Sequence, residues 1–360
     1  MSGPEPAPAH AAVAGRGETH PGSPAGSGAG LHPRQVLLGA QAAGLWLPVC
    51  DHYSGVEARM RKSLQLQVEM TEEFGTCVFD VTLDCEDGAP VGAEAAHAVM
   101  VAELALGAPV GTRVAARVHP VDHPCFEADV ATIVGRAGQR LSHLMIPKVE
   151  SPADVDRAVL ALARAGAPGL PLQVLIESPA AVHCAFDIAA HPRVQSLSFG
   201  LMDFVSAHGG AVGADAMSSS GQFNHPLVVR AKLEIASACH AHGKVPSHCV
   251  VTEFADTSAM RAAASRAARE YGYTRMWSIH PSQIRPILDA MAPEPGQIDE
   301  AARILEAAAS AGWAPISHAG QLHDRASYRF YWQVIERAHR TGRPLPDTMQ
   351  HYFGDLTLHP

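Results

Sequence analysis

From about residue 45 onward, short apolar runs alternate with longer amphipathic stretches. The runs are LWLPV (45–49), CVFDVTLD (77–84), RVAARV (113–118), HLMIPKV (143–149), LQVLIE (172–177), VQSLSFG (194–200), KVPSHCVV (244–251) and TRMWSIHP (274–281). Between them, helical spacing recurs around 55–74, 92–106, 125–137, 151–165, 179–190, 225–243 and 256–271, while 206–224 reads as an irregular Gly/Ser-rich segment. Near-continuous apolar strands alternating with helices predict a parallel sheet covered on both faces. Eight such units predict an α/β fold of the (β/α)₈ TIM-barrel type, with a doubly wound open sheet as the alternative. Ser151, Pro152 and Asp154 form a helix start, which places Lys148 and Glu150 at the C-terminal end of the preceding strand.

After residue 291 the pattern changes. Helices over 298–313 and 326–342 flank a Gly-containing turn at 317–325, and the remaining stretch reads as loop and lid. The first thirty residues are rich in Pro, Ala, Gly and Ser and cannot bury enough surface to offset ordering. The expected organisation is a flexible tail (1–33), a barrel (34–292) and a C-terminal helical extension or lid (293–360).

Composition narrows the function. A formal charge of −9 argues against nucleic acid as the main partner, and no apolar run approaches the ~18 residues of a membrane span. The seven cysteines are scattered without a CxxC pair, as small buried hydrophobes in a reducing, cytoplasmic setting would be. Neither a GxxxxGK[ST] loop nor a GxGxxG after a strand is present.

Five apolar strands end in charge: Asp84 with Glu86 and Asp87, Arg117, Lys148, Glu177, and Asp203 just beyond Phe-Gly. In a barrel these ends converge on the face that carries active sites. So many carboxylates with few neutralising groups repel one another unless a divalent cation sits among them, and oxygen-only ligands suit Mg²⁺ or Mn²⁺ better than zinc.

The segments DVTLDCEDGAP, RVHP, MIPKVES, LIESPAAV, LSFGLMDF and WSIHPSQI, in that order, resemble the HpcH/HpaI aldolase and citrate lyase β-subunit family over about residues 45–290. The resemblance implies a TIM barrel, a Mg²⁺ ion and acyl-CoA substrates such as malyl-CoA or citramalyl-CoA. It assigns the metal to Glu177 and Asp203, with Asp84 and Glu86 holding metal-bound waters. Arg117 would bind the 2-oxo group and stabilise developing negative charge, with Glu86 and Lys148 also at the substrate. GQLHDRAS resembles the lid motif of relatives, which makes Asp324 a proton donor or acceptor supplied across a homo-oligomer (trimer or hexamer) interface. A helix N-cap is the equal alternative for Asp324.

The chain departs from that pattern in three places. His119 stands where relatives carry Asn, the basic residues that normally follow the Asp-x-Glu-Asp strand end are missing from GAPVGAEAAHAVM, and AGLWLPVCDH replaces the usual first strand. Arg59, Arg61 and Lys62 could replace the lost basic residues or simply form a solvated helix face. His52 and His119 are further pocket candidates, and His280 reads as a turn-forming residue. The expected activity is a Mg²⁺-dependent carbon–carbon lyase of retro-aldol or Claisen type, giving a 2-oxo acid and an acyl-CoA. A class II aldolase on free hydroxy-oxo acids and a non-catalytic metabolite-binding relative are the alternatives.

Overall fold

The computed structural model describes residues 32–39 and 47–354. Eight parallel strands close into one barrel in sequence order: β1 Cys50–Ser54, β2 Phe79–Asp84, β3 Val114–Arg117, β4 Leu141–Ile146, β5 Leu172–Ile176, β6 Val194–Phe199, β7 Val245–His248 and β8 Arg275–Ser278. β8 pairs back onto β1, with Cys50 opposite Met276 and His52 opposite Ser278. The (β/α)₈ expectation therefore holds, and the open sheet is ruled out.

Apolar side chains on the outer faces of the strands pack against the surrounding helices in one continuous core that includes Phe79, Leu144, Val174, Leu197, Ile133 and Ile235. Burying that surface is what closes the barrel. The helix Pro152–Arg164 starts as expected, with Ser151 and Asp154 forming a reciprocal capping box. Among the described residues no helix is long and apolar enough to cross a membrane.

Several elements differ from expectation. The first strand is Cys50–Ser54, not LWLPV; Leu47–Val49 only lead into it, and residues 45 and 46 lie outside the described residues. Hydrophobicity misplaced this strand because CDHYS is polar yet wholly buried, its Asp51 paired with Arg275 inside the barrel. The helix expected over 179–190 breaks at Cys184 into Pro179–His183 and Ala185–Ala190. The turn at 317–325 contains a small antiparallel hairpin, β9 Ile316–His318 with β10 Gln321–His323. A further helix, Ile284–Met291, follows β8.

The C-terminal helices Pro295–Ser310 and Arg325–Arg340 build a second core of their own around Trp332, Tyr328 and Ile304. The short helix Pro33–Leu38 joins it through Leu37, and Arg34 pairs with Glu336 at 2.5 Å. The rest of the N-terminal tail, residues 1–31, lies outside the described residues. This unit meets the barrel on the side where strands begin. There Thr76, just before β2, lies 3.5 Å from His339, and Arg343 bonds Asp289 near the end of Ile284–Met291.

Candidate active site

At the opposite face, where the strands end, six of the seven sequence-assigned residues come together. Asp84 and Arg117 close β2 and β3 as register partners, and the guanidinium grips the carboxylate with both edges, Nε to Oδ1 at 2.7 Å and Nη2 to Oδ2 at 2.5 Å. Asp84 also accepts the backbone N–H groups of Glu86 and Gly88, at 3.0 and 2.9 Å. A side chain at position 88 would place Cβ 2.5 Å from Asp84 Oδ2, so glycine is needed for this approach. Burial works against the Asp84 charge, but Arg117 outweighs it and holds the carboxyl below its ordinary range.

Arg117 reaches Glu86 as well, Nη1 to Oε2 at 2.9 Å, and Lys148 Nζ donates to Glu86 Oε1 at 2.7 Å. Both cations lose hydration by burial, yet their carboxylate neighbours win and keep them charged above their usual ranges. Lys148 Nζ lies 3.7 Å from Asp203 Oδ1, so the ammonium stands among Glu86, Asp87 and Asp203. Lys148 takes the left-handed conformation, φ 52°, an unfavourable state for a residue with a Cβ. That twist aims its backbone N–H at Glu177 Oε1, 2.8 Å away.

Glu177 is the unbalanced member. Burial first, then the like charges of Asp203 and Glu86, push its carboxyl up to about 8. Gly200, one residue past β6, packs directly on this carboxylate. A buried carboxylate raised by its like-charged neighbours is the environment that a bound cation relieves. Among the described residues no three His, Cys, Asp or Glu side chains are gathered closely enough to hold an ion alone. Glu177 and Asp203 are the two carboxylates here that could hold a Mg²⁺ ion, which keeps much of its hydration and needs few protein ligands.

Beside the cluster opens a cavity of about 690 Å³. Asp84, Asp87 and Arg117 line its inner end, Tyr53 and Trp277 its wall, and Arg59 and Lys62 of the helix Glu57–Phe74 its outer reach. Tyr53 stacks on Trp277 with ring centres 4.2 Å apart, and Arg117 Cζ lies 5.5 Å from the Tyr53 ring. Sequence reasoning missed both aromatics. Tyr53 fell in the polar strand that hydrophobicity misplaced, whereas Trp277 stood in a recognised segment that offered no reason to single it out.

The other candidates sort clearly. Arg59 and Lys62 face the cavity, whereas Arg61 pairs with Glu57 on the helix surface. His119 turns away, its Nδ1 2.6 Å from Asp129 and its ring stacked on His123. His280 caps the turn Pro281–Gln283, as expected, while bordering the cavity. Asp324 is not brought to the mouth of its own barrel. It caps Arg325–Arg340 by accepting from the backbone N–H groups of Ala326 and Ser327.

Comparison with known proteins agrees with this architecture. The HpcH/HpaI aldolase/citrate lyase family matches residues 65–281. A curated L-malyl-CoA/beta-methylmalyl-CoA lyase of Cereibacter sphaeroides is 32% identical over 277 residues, 72% of this chain and 86% of the relative. A malyl-CoA/beta-methylmalyl-CoA/citramalyl-CoA lyase of Chloroflexus aurantiacus is 26% identical over 295 residues, covering 74% and 82%. Among solved structures, a citrate lyase from Burkholderia xenovorans LB400 superposes with TM-score 0.74 at 49% identity, covering 90% of this chain and 99% of that one. The protein CitE of Mycobacterium tuberculosis, crystallised with magnesium, acetoacetate and coenzyme A, shares the fold at TM-score 0.61 and 21% identity, covering 81% and 98%. With the barrel, the family's matched span and the closeness of the curated lyase, this chain belongs to the HpcH/HpaI aldolase/citrate lyase family and is an enzyme of the carbon–carbon lyase class.

Proposed function

We propose that the chain is a Mg²⁺-dependent lyase that cleaves, or in reverse forms, the bond between a 2-oxo acid carbon and the α-carbon of an acyl-CoA thioester of the malyl or citramalyl kind. The observation that carries this reading is Glu177, a buried carboxylate pushed up to about 8 beside Asp203, in a charge cluster whose Arg117 lines a cavity that also carries Arg59 and Lys62. The inner end suits a small oxo acid, and the basic outer reach suits an anionic arm. The relatives named for malyl-CoA support the same substrate class.

Glu177 and Asp203 would hold a Mg²⁺ ion, which would supply Lewis-acid chemistry to the 2-hydroxy or 2-oxo acid. Arg117, locked by Asp84 and Glu86, holds its guanidinium toward the cavity, where it stabilises charge on the oxo-acid oxygen. Because its partners are fixed before substrate arrives, that stabilisation needs little reorganisation. Glu86 and Lys148 complete the substrate end, and Asp84 orients Arg117. On cleavage the bonding pair passes to the thioester α-carbon as the hydroxyl carbon becomes the oxo carbon and its proton leaves to solvent. The thioester enolate takes a proton from Asp324, supplied by a second subunit of a homo-oligomer.

Calorimetric titration of metal-stripped protein with Mg²⁺ plus oxaloacetate, glyoxylate or pyruvate tests the site. The expected result is metal-dependent oxo-acid binding that disappears in Glu177→Ala and Asp203→Ala. Binding without metal, or binding that survives both substitutions, overturns the assignment.

A further inference from the structure

One residue of the cavity wall has an acceptor that none of the described residues fills. Alternate side chains of β1 point to opposite faces. Tyr53 meets Arg117 and Asp51 meets Arg275, while Cys50 and His52 face the outer core, with the His52 ring edge-on to Phe79. His52 is 2% exposed and lines the limb of the cavity that passes over β1 toward Arg59 and Lys62.

The hydrogen inventory fixes which of its nitrogens is bare. Ser278 Oγ donates its single hydrogen to the carbonyl oxygen of His280 at 2.9 Å. Toward His52 Nδ1, 3.0 Å away, that same oxygen therefore only accepts, and Nδ1 carries the ring hydrogen. Burial first, and then His280, lower the imidazole to about 4, so it is neutral near pH 7. Nε2 is then an unprotonated lone pair, and among the described residues it has no hydrogen-bond partner. The surrounding wall is largely apolar, with Val56, Trp277, Ile279 and Pro281. In such a wall an acceptor gains more from a ligand donor than it would in open water.

We propose that His52 Nε2 accepts a hydrogen bond from an amide N–H of the substrate's thioester arm, which makes His52 a specificity-determining residue of the outer limb. An acyl-thioester arm of the pantetheine type offers this chemistry: secondary amide donors on a flexible alkyl chain that suits apolar walls. The inference rests on the thioester reading of the site above. Ser278 is a positioning residue here, because it sets the tautomer without touching the arm.

The test compares two malyl thioesters with the full-length Mg²⁺-loaded enzyme, one with a pantetheine arm and one with an alkyl arm of equal length lacking amides. The ratio of their KM values is the readout, since a merely structural defect would move both alike. The wild type should favour the amide-bearing arm by about 5- to 10-fold, the worth of one neutral hydrogen bond. His52→Leu should bring the ratio close to one, and Ser278→Ala should lower it part of the way. His52→Gln, whose carboxamide can place an acceptor near the Nε2 position, should restore most of it. Thermal melting of each variant identifies any that fail to fold, and the Ser278→Ala and His52→Gln pair carries the test if His52→Leu does fail. A wild-type preference that survives in His52→Leu, or is unchanged in Ser278→Ala and lost in His52→Gln, overturns the inference. Turnover of free hydroxy acids with no turnover of either thioester overturns the thioester reading itself, and the inference with it.

Discussion

The barrel carries buried charge at both ends, and the two ends are built to opposite rules. In the lower layers Arg275 is fully buried, with Nη2 2.8 Å from Asp51 and 2.7 Å from Asp80. Arg113 adds Nε to Asp80 at 2.6 Å, and Thr82 donates to Asp51 at 2.7 Å. Two cations meet two carboxylates, with Arg275, Asp51 and Asp80 fully buried and Arg113 reaching in from the edge, a balanced strut between strands. Burial alone would raise the Asp80 carboxyl, but Arg113 and Arg275 hold it at about 2. At the mouth, five carboxyl groups (Asp84, Glu86, Asp87, Glu177 and Asp203) gather around only Arg117 and Lys148, beside a cavity. Charge that is balanced and sealed holds the fold. Carboxyl groups that outnumber their cations at an opening are what the proposed divalent cation would balance.

The sharpest way to break this contrast is to change one ionisable group at each end. Glu177→Gln should lower kcat by about 10³-fold or more, as losing a metal-binding group does, while melting at much the same temperature without metal, because a carboxyl pushed up to about 8 is already largely neutral near pH 7. Arg275→Met should do the reverse, costing about 3–5 kcal/mol in urea unfolding by stranding two buried carboxylates, while metal-dependent oxo-acid binding survives in the folded fraction. If Arg275→Met also abolished that binding while still folded, the lower layers would be part of the site and the division would fail.

A smaller effect follows from acid. Burial first lowers His143 to about 3, beside the Arg275 strut, and His52 to about 4. Below the ordinary imidazole value near 6.5 the unfolded chain therefore binds more protons than the folded one. Stability from these groups is complete above about pH 6.5 and drains as pH falls toward 4, at up to about 1.4 kcal/mol per unit for each group. Urea midpoints should drop between pH 7 and pH 5, and His143→Leu should flatten part of that slope. A midpoint unchanged across this range would remove the buried imidazoles from the account.

Much of the mouth was legible in the sequence, and little of the strut was. Asp84, Arg117, Lys148, Glu177 and Asp203 stand where apolar strands end in charge, and strand ends of a barrel converge by topology alone, so periodicity was enough to gather them. Asp51, Asp80 and Arg275 lie inside strands, where a polar residue reads as a break in the hydrophobic signal. Only pairing across β1, β2 and β8 neutralises them, and that pairing is invisible until the barrel closes. The same blindness displaced β1 and hid Tyr53. Arg59 and Lys62 were ambiguous because helical spacing sets which face a side chain occupies, not what cavity that face borders. Asp324 kept two readings, since its backbone contacts explain a cap within one chain and leave its place in an assembly open.

The finest probe of the mouth is a single methyl group. At position 200 an added Cβ would lie 2.6 Å from Glu177 Oε2 and 2.8 Å from its Cγ, so either the carboxylate or the turn after β6 must move. The backbone itself does not resist alanine, because φ there is −91°. Gly200→Ala should therefore act through the carboxylate, weakening Mg²⁺ binding by about 10-fold and stability by about 1–3 kcal/mol, the range for overpacking. Gly75 gives the matched control: its φ is 67° and an added Cβ there meets nothing within 4 Å. Gly75→Ala should cost about 1 kcal/mol through backbone strain and leave metal affinity untouched. If calorimetry found equal Mg²⁺ affinity in both variants, Glu177 would tolerate displacement, and the tight packing at its carboxylate would belong to the fold and not to the metal.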